Sequence, residues 1–201
     1  MNLAIDLEWR ADNPASNVKP CKASSTGFHT WTEGEIERFY ATHAVGTVAH
    51  TAMTLMLYTG AARADVVRLG RQNLASGRLR YRRQKTIRTN GLLIDIPVHP
   101  ELGKVIRALP YNRLTFLETD YGECRSATGF GNLMRKWCDE ANLPNCTSHG
   151  LRKAIARRMA EAGATPHEIM AVTGHKSLKD VMLYTSEFNR GSLADLAIGR
   201  L

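Results

Sequence analysis

The apolar residues of this chain have the spacing of helices over most of its length and a different spacing in one short region. This contrast limits the folds that the chain can adopt. Most of the sequence shows the spacing of amphipathic helices, whereas residues 78–82 alternate polar and apolar side chains as a half-exposed strand does. Residues 92–97 are a second strand candidate, and the Thr-Asn-Gly stretch at 89–91 predicts the turn between them. We therefore predict a mainly helical α+β fold with one small antiparallel sheet. A third strand is left open, because no further segment shows a strand pattern.

Capping boxes predict where two of the helices begin. Thr32 and Thr165 are each followed three residues later by a glutamate, so that each pair satisfies the other's hydrogen bonds at a helix start. The first pair predicts a helix to about residue 42, and the second predicts a helix over residues 166–173. Further helices are expected over residues 3–10, 47–58, 64–69, 101–109, 126–142, 149–162, 178–184 and 193–198.

Length and composition favour one domain. The chain has 201 residues, of which 43% are hydrophobic, so it is long enough to bury a core. Its first six residues do not combine a basic region with an apolar run. The apolar-leaning stretch at 51–67 contains Arg63 and Asp65, which disfavours a membrane span. These features predict a cytoplasmic protein with no membrane partner.

The cysteines do not form a recognisable metal motif. Cys138, Cys146 and His149 are residue types that bind zinc, but they lack the paired spacing of most tetrahedral sites. Glycine-rich nucleotide loops and the His-Glu-x-x-His helix are also missing from the sequence. We predict reduced thiols in or near the core, no metal and no cofactor.

Basic residues are concentrated in one segment. Residues 63–88 contain nine arginines and lysines and a single acid, which equals the net charge of +8 of the whole chain. A second basic run follows at 152–158. Arginine suits phosphate oxygens, so this distribution favours double-stranded DNA as a partner over a merely solvated basic face. The residues predicted to contact DNA are Arg80, Arg82, Arg83, Arg88 and Lys153.

Several polar residues form a set that suits phosphoryl transfer. His149 and Arg152 share one face of a predicted helix, where a histidine can move protons and an arginine can bind phosphate. His175 lies in a predicted turn, Tyr184 lies nine residues later, and Lys85 belongs to the basic hairpin. The carboxylate clusters of two-metal nucleases are missing. Singly, each residue has a simpler explanation as a helix cap, a core residue or a solvated charge.

In this order, the motifs resemble those of the tyrosine recombinases, the phage-integrase family. The resemblance covers roughly residues 28–188. Five segments carry it: residues 57–69 around Tyr-Thr-Gly and Asp65, Gln84-Lys85-Thr86, His149-Gly150-Leu151-Arg152-Lys153, Val172-Thr173-Gly174-His175-Lys176-Ser177, and Tyr184-Thr185. The resemblance implies the catalytic fold of that family, with site-specific DNA recombination, integration or excision, as the activity.

The resemblance also implies a role for each motif residue. Tyr184 is expected to attack a DNA phosphate, giving a 3′-phosphotyrosine and a free 5′-hydroxyl. The remaining expected roles are phosphate binding by Arg152 and His175, proton donation to the 5′-oxygen by Lys85, proton transfer or phosphate binding by His149, and support of the site by Asp65.

One position departs from the family pattern. Aligning Asp65 with the family places Ala62 where the first catalytic arginine is expected, and Arg63 matches an optional second base. Adjacent residues on a helical turn point about 100° apart, so Arg63 does not simply replace that arginine. We expect the chain to be impaired in catalysis, unless a local backbone shift lets Arg63 reach into the site.

The domain organisation is also a prediction from the resemblance. Family members clamp DNA between an N-terminal domain and the catalytic domain, so residues 1–26 are interpreted as a linker or remnant of the first, and residues 27–201 as the second. The family assembles as a tetramer on DNA, and we expect an isolated catalytic domain to be a monomer. A bacterial or phage cytoplasm is the implied location.

Two other functions fit parts of the sequence. A non-catalytic DNA-binding relative, which occupies or regulates recombination sites, would explain Ala62. This alternative does not explain why the other five motif residues are all present, because a chain that has lost its activity should have lost several of them. These residues are Lys85, His149, Arg152, His175 and Tyr184. A type IB topoisomerase would use the same chemistry, but the integrase-like Gly174-His175 box and the compact length disfavour it.

Overall fold

The computed structural model describes residues 2–14, 18, 27–89, 91–175, 177–185, 194–195 and 197–199, apart from the side chains of residues 2, 89, 180 and 183–185. In this part of the chain the helices are α1 (Asn2–Asp6), α2 (Glu33–Thr42), α3 (Val48–Thr59), α4 (Arg63–Val66), α5 (Pro100–Ala108), α6 (Ala127–Glu140), α7 (Ser148–Glu161), α8 (Pro166–Thr173) and α9 (Leu178–Thr185). The strands are β1 (Leu74–Ala75), β2 (Arg78–Arg82) and β3 (Leu93–Pro97). The predicted mainly helical α+β fold is confirmed.

Both predicted capping boxes are present. Thr32 with Glu35 begins α2, and Thr165 with Glu168 begins α8. The other predicted helices between residues 47 and 185 also form, with ends that differ by a few residues, while the first helix is shorter than predicted. The helix predicted over residues 193–198 lies largely outside the described residues.

Helix α3 is the centre of the core. Nearly all its side chains are buried, and it packs against α5 and α7. Gly60 ends α3 in the left-handed conformation, with φ of 60°. A Cβ at Gly60 would lie 3.3 Å from the Thr173 side chain, so glycine permits the close approach of the ends of α3 and α8. In the described part of the chain, no helix is both long enough and apolar enough to cross a membrane.

The sheet has the order β1-β2-β3, and both pairs are antiparallel. Strands β2 and β3 pair from Arg78 opposite Pro97 to Arg82 opposite Leu93, as the alternation predicts. The third strand is the two-residue β1, which is too short to show a period. The predicted turn residues 89–91 fall within the connection between β2 and β3, which is longer than they are because a 3-10 helix covers Gln84–Thr89. Strand β3 packs against α8, and the 3-10 helix of the connection packs against α4.

The segment before α2 is fixed to the start of α7. The Trp31 side chain is fully buried, and its Nε1 donates to the carbonyl of Thr147 at 2.8 Å. Gly150 makes room for this segment, because a Cβ there would lie 2.2 Å from the carbonyl oxygen of His29. Residues 27–31 therefore form one wall beside the N-terminus of α7.

Candidate active site

A pocket of about 500 Å³ is lined by residues of α4, α6, α7 and the loop between β2 and β3. Its lining includes Phe28, Ala62, Arg63, Asp65, Arg83, Lys85, Arg135, His149 and Arg152. Among the described residues that line it, five are arginine or lysine and Asp65 is the one acid. A concave surface with this balance of charge attracts an anion. The pocket thus joins most of the residues that the motifs identify.

Arg152 is held rigidly by two backbone carbonyls. Its side chain is buried in α7, and its guanidinium donates to the carbonyls of Gly60 and Thr173. These carbonyls end α3 and α8, where helix carbonyls lack intrahelical partners. The guanidinium therefore satisfies two helix ends and is fixed before any phosphate arrives, which lowers the cost of binding one.

His175 lies beside Arg152 and is oriented by Thr173. The Thr173 hydroxyl donates to the carbonyl of Ile169 at 2.7 Å, so its oxygen is left to accept from Nδ1 of His175 at 2.6 Å. Burial lowers the pKa of His175 to about 3, with the charges of Arg152 and Arg83 as further causes. The ring is therefore neutral at physiological pH, with its proton on Nδ1.

We predict that His175 titrates far below an ordinary histidine. An unfolded chain binds this proton near pH 6.5 and the folded chain only near 3, so unfolding takes up a proton between these values. Stability should thus fall as the pH drops through that window. A bound DNA phosphate would place a negative charge near the His175 ring and stabilise its protonated form. The pKa of His175 should therefore rise in the complex with DNA. Histidine NMR titrations, with His175→Gln to assign the signal, measure both states. A midpoint near 6.5 in the free protein contradicts the prediction.

His149 stands at the mouth of the pocket against an aromatic ring. The rings of His149 and Phe28 have centroids 4.7 Å apart. Burial, with the charges of Arg152 and Lys153 as smaller causes, lowers the pKa of His149. The neutral imidazole can therefore accept a proton. Phe28 was not predicted from the sequence, because a single aromatic residue beside a linker-like stretch carries no periodic signal.

Asp65 fixes the hairpin loop to α4. Its carboxylate is buried, and Oδ1 accepts from the backbone N–H of Gln84 at 2.8 Å. The other oxygen lies 3.7 Å from Nε of Arg83. Because Lys85 directly follows Gln84, this anchor determines where Lys85 lines the pocket. The supporting role of Asp65 stays a prediction.

Ala62 and Arg63 lie at the start of α4. Ala62 is the N-cap residue of that helix and contributes its methyl group to the pocket wall. Arg63 is exposed, and its Nη1 lies so close to α6 that a Cβ on Gly131 would be 2.5 Å away. Arg63 is therefore directed along α6, at the rim of the pocket. The prediction that Arg63 does not simply replace an arginine at position 62 stays a prediction.

The residues predicted to contact DNA divide into two groups. Arg80, Arg82 and Arg88 are exposed on the hairpin, where Arg80 also pairs with Asp95 at 2.9 Å. Lys153 is buried instead, and its Nζ donates to the carbonyl of Phe28 at 2.8 Å. This contact fixes the segment before α2 and does not favour the predicted DNA contact. Arg83 lines the pocket.

Among the described cysteines, Cys138 and Cys146 are free and buried as predicted, whereas Cys124 is free but exposed. Burial raises the pKa of both Cys138 and Cys146 to about 12, so both stay protonated at neutral pH. Cys146 also lies near His29 and Glu35, and one potential ligand atom of each residue falls within a 4.8 Å group. Helix capping and an ion pair already account for Glu35, which accepts from Thr32 and contacts His29 at 2.8 Å.

The helix that contains Tyr184 packs on its own domain. Helix α9 contacts α7 and α8, and Val181 is fully buried between them. Helix α9 is thus packed against α7, which carries Arg152, and against α8, which ends just before His175. Its side chain lies outside the described residues, so its predicted role as the nucleophile stays a prediction.

The fold is that of solved tyrosine recombinases. A lambda integrase dimer bound to a COC′ core site is similar, with 19% identity, a TM-score of 0.75, and coverage of 94% of this chain and 70% of that chain. XerA recombinase has 16% identity, a TM-score of 0.71, and coverage of 98% and 71%. The Tn1549 transposon integrase with circular intermediate DNA has 17% identity, a TM-score of 0.70, and coverage of 100% and 75%.

The fold matches that of the catalytic domains of tyrosine recombinases. The phage integrase family matches residues 30–190, which is most of the sequence. The chain belongs to that family, as the five motifs predict. No curated protein sequence matches it.

Proposed function

We propose that the chain performs site-specific recombination of double-stranded DNA through a 3′-phosphotyrosine intermediate. The observation that carries the proposal is the clustering of Lys85, His149 and Arg152 around one pocket, although the sequence separates them widely. Hydrogen bonding through Thr173 adds His175 to the same group. Family membership makes recombination the expected class of activity.

The proposed cleavage step is a balanced transesterification. The phenolic oxygen of Tyr184 attacks phosphorus, and the bond from phosphorus to the 5′-oxygen breaks with its electron pair on that oxygen. Neutral His149 takes the phenol proton, and the ammonium of Lys85 gives a proton to the 5′-oxygen. One phosphoester replaces another, so the reverse reaction rejoins DNA without an external energy source.

Arg152 and His175 would bind the non-bridging oxygens during this step. Arg152 is already fixed by its two carbonyl partners, so its donors are preorganised for the charge that grows in the transition state. His175 would gain a proton when the phosphate enters and would then donate from Nε2. The basic hairpin with Arg80, Arg82 and Arg88 would follow the DNA backbone.

Assembly on DNA belongs to the same proposal. The similar lambda integrase structures are a dimer bound to a core site and a tetramer bound to a Holliday junction. We propose that this protein likewise forms a tetramer on DNA, is a monomer as an isolated catalytic domain, and works in a bacterial or phage-infected cytoplasm. Residues 1–26 would connect the catalytic domain, residues 27–201, to a DNA-clamping domain.

Ala62 is proposed to slow the reaction. An arginine at this position would add a guanidinium to a pocket wall that now presents a methyl group. The backbone there has φ of −71° and ψ of 158°, which any L-residue adopts, so Ala62→Arg should fold normally. We expect this substitution to raise the cleavage rate by about tenfold to a hundredfold, at or below the lower end of the range of about 10²–10³ for one preorganised donor.

Covalent capture tests the function. The substrate is a nicked duplex carrying the attachment site of the element that encodes the chain, and the adduct is resolved on a denaturing gel. Adduct should form with the natural chain and with Ala62→Arg, and should vanish when Tyr184→Phe is added. If Ala62→Arg binds the duplex but yields no adduct, catalysis is refuted. The non-catalytic DNA-binding relative, which Ala62 favours, would replace it.

A further inference from the structure

Arg83 is predicted to contact DNA as part of the basic hairpin, and it lies in the pocket. The alternation of β2 exposes Arg82 and turns Tyr81 inward, so Arg83 takes the next inward position. Its side chain is only 11% exposed. Its Nη1 donates to the carbonyl of Gly174, which directly follows the Thr173 carbonyl that holds Arg152. Two consecutive carbonyls at the end of α8 thus hold two guanidinium groups side by side.

The contacts of Arg83 leave most of its donors available. A guanidinium has five N–H donors, and the described hydrogen bond to Gly174 uses one of them. Nε of Arg83 and Oδ2 of Asp65 are both buried, lie 3.7 Å apart, and have no hydrogen bond among the described residues. Asp65 therefore orients the guanidinium electrostatically without saturating it. A buried arginine in this condition is suited to an incoming anion.

Two small residues make room for this side chain. A Cβ at Gly174 would lie 2.9 Å from Cδ of Arg83, so the stem passes where only glycine leaves space. Ala62, three residues before Asp65, presents only a methyl group to the same pocket. A longer side chain at residue 62 would enter the pocket that Arg83 lines. The alanine and the inward arginine are therefore complementary.

We propose that Arg83 contacts the scissile phosphate and supplies, from the hairpin, the guanidinium that position 62 does not provide. The inference rests on the proposed function of the pocket. Arg83 and Arg152 would form the arginine pair of the phosphate clamp, one from the loop after β2 and one from α7. The effect of Ala62 is then partial, because the clamp keeps two arginines.

A double-mutant cycle of Arg83→Ala and Ala62→Arg tests whether an arginine at residue 62 can perform the task of Arg83. The rate of adduct formation on the nicked attachment-site duplex is measured in a single turnover at saturating DNA. Arg83→Ala should slow the natural chain by about 10² or more, the cost of losing one preorganised donor. In the Ala62→Arg background it should cost less than about tenfold, since the new arginine performs the same task. Equal losses in the two backgrounds, or no loss in the natural chain, overturn the proposal.

Arg78→Ala is the matched control. Arg78 lies on β2, shortly before Arg83 in the chain, and is outside the pocket. Like Arg83 it lies beside an acid, in this case Asp95 at 2.6 Å, so its substitution removes the same charge from a similar pair. Its single-turnover rate should stay within about twofold of the natural chain, because exposed ion pairs contribute little. Thermal unfolding of each variant confirms that the chain is folded. If Arg78→Ala slows adduct formation as much as Arg83→Ala does, the cause is the change in net charge and the proposal is overturned.

A second measurement does not depend on cleavage. Inorganic phosphate is titrated into the protein while the Nε–Hε NMR signals of the arginines are followed. The Arg83 signal should shift with saturation and that of Arg78 should not; an unmoved Arg83 signal overturns the proposal. If phosphate shifts Arg83 while no variant forms a Tyr184-dependent adduct, the anion contact stands and the recombinase function fails.

Discussion

Replacing Arg152 with alanine should abolish most DNA cleavage and also destabilise the fold. The cleavage rate should fall by about 10²–10³, because a preorganised phosphate donor is lost. The free energy of unfolding should fall by about 2–4 kcal/mol, since the buried carbonyls of Gly60 and Thr173 lose a charged donor. Single-turnover adduct formation and denaturant unfolding measure the two effects.

Arg152→Lys separates the charge of this residue from its geometry. Lysine keeps the positive charge but has no planar fork to reach both carbonyls, so cleavage should still fall. The pKa of His175 should stay low in this variant and rise in Arg152→Ala, because the Arg152 charge is one cause of its depression. If Arg152→Ala cleaves at the natural rate while folded, the site described here is not the catalytic site.

Gly150→Ala should be strongly destabilising although it lies inside a helix. Alanine favours helix by about 1 kcal/mol over glycine, which alone would raise stability. At this position, however, the new Cβ would lie 2.2 Å from the carbonyl oxygen of His29 and 2.9 Å from the Trp31 ring. The first contact is with backbone, so residues 27–31 must move. We expect a net loss of about 1–3 kcal/mol, the usual cost of overpacking, measured by denaturant unfolding.

The matched control is Gly34→Ala in α2. A Cβ at Gly34 meets no atom within 4 Å, so helix propensity is unopposed and stability should be unchanged or higher by up to about 1 kcal/mol. Cleavage should also fall in Gly150→Ala, because Phe28 would leave the ring of His149. If the two variants had the same free energy of unfolding, residues 27–31 would move without loss of stability, and the prediction would be contradicted.

The sequence predicted those features that depend on neighbouring residues. The capping boxes at Thr32 and Thr165 use hydrogen bonds within four residues, so their patterns are sufficient to locate α2 and α8. The alternation at residues 78–82 likewise records one half-buried strand. The order of the five motifs indicated the family, since each motif retains its own local spacing.

Tertiary structure alone decided which bases face the pocket. Arg83 contacts Gly174, 91 residues later, and Lys153 contacts Phe28, 125 residues earlier. The alternation of β2 puts Arg82 on the exposed side and Arg83 on the inward side, but it does not show that Arg83 reaches Gly174 and lines the pocket. The sequence by itself determined the local elements and the family, because these depend on near neighbours. The set of charges around the phosphate site depends on distant segments that meet only in the folded chain.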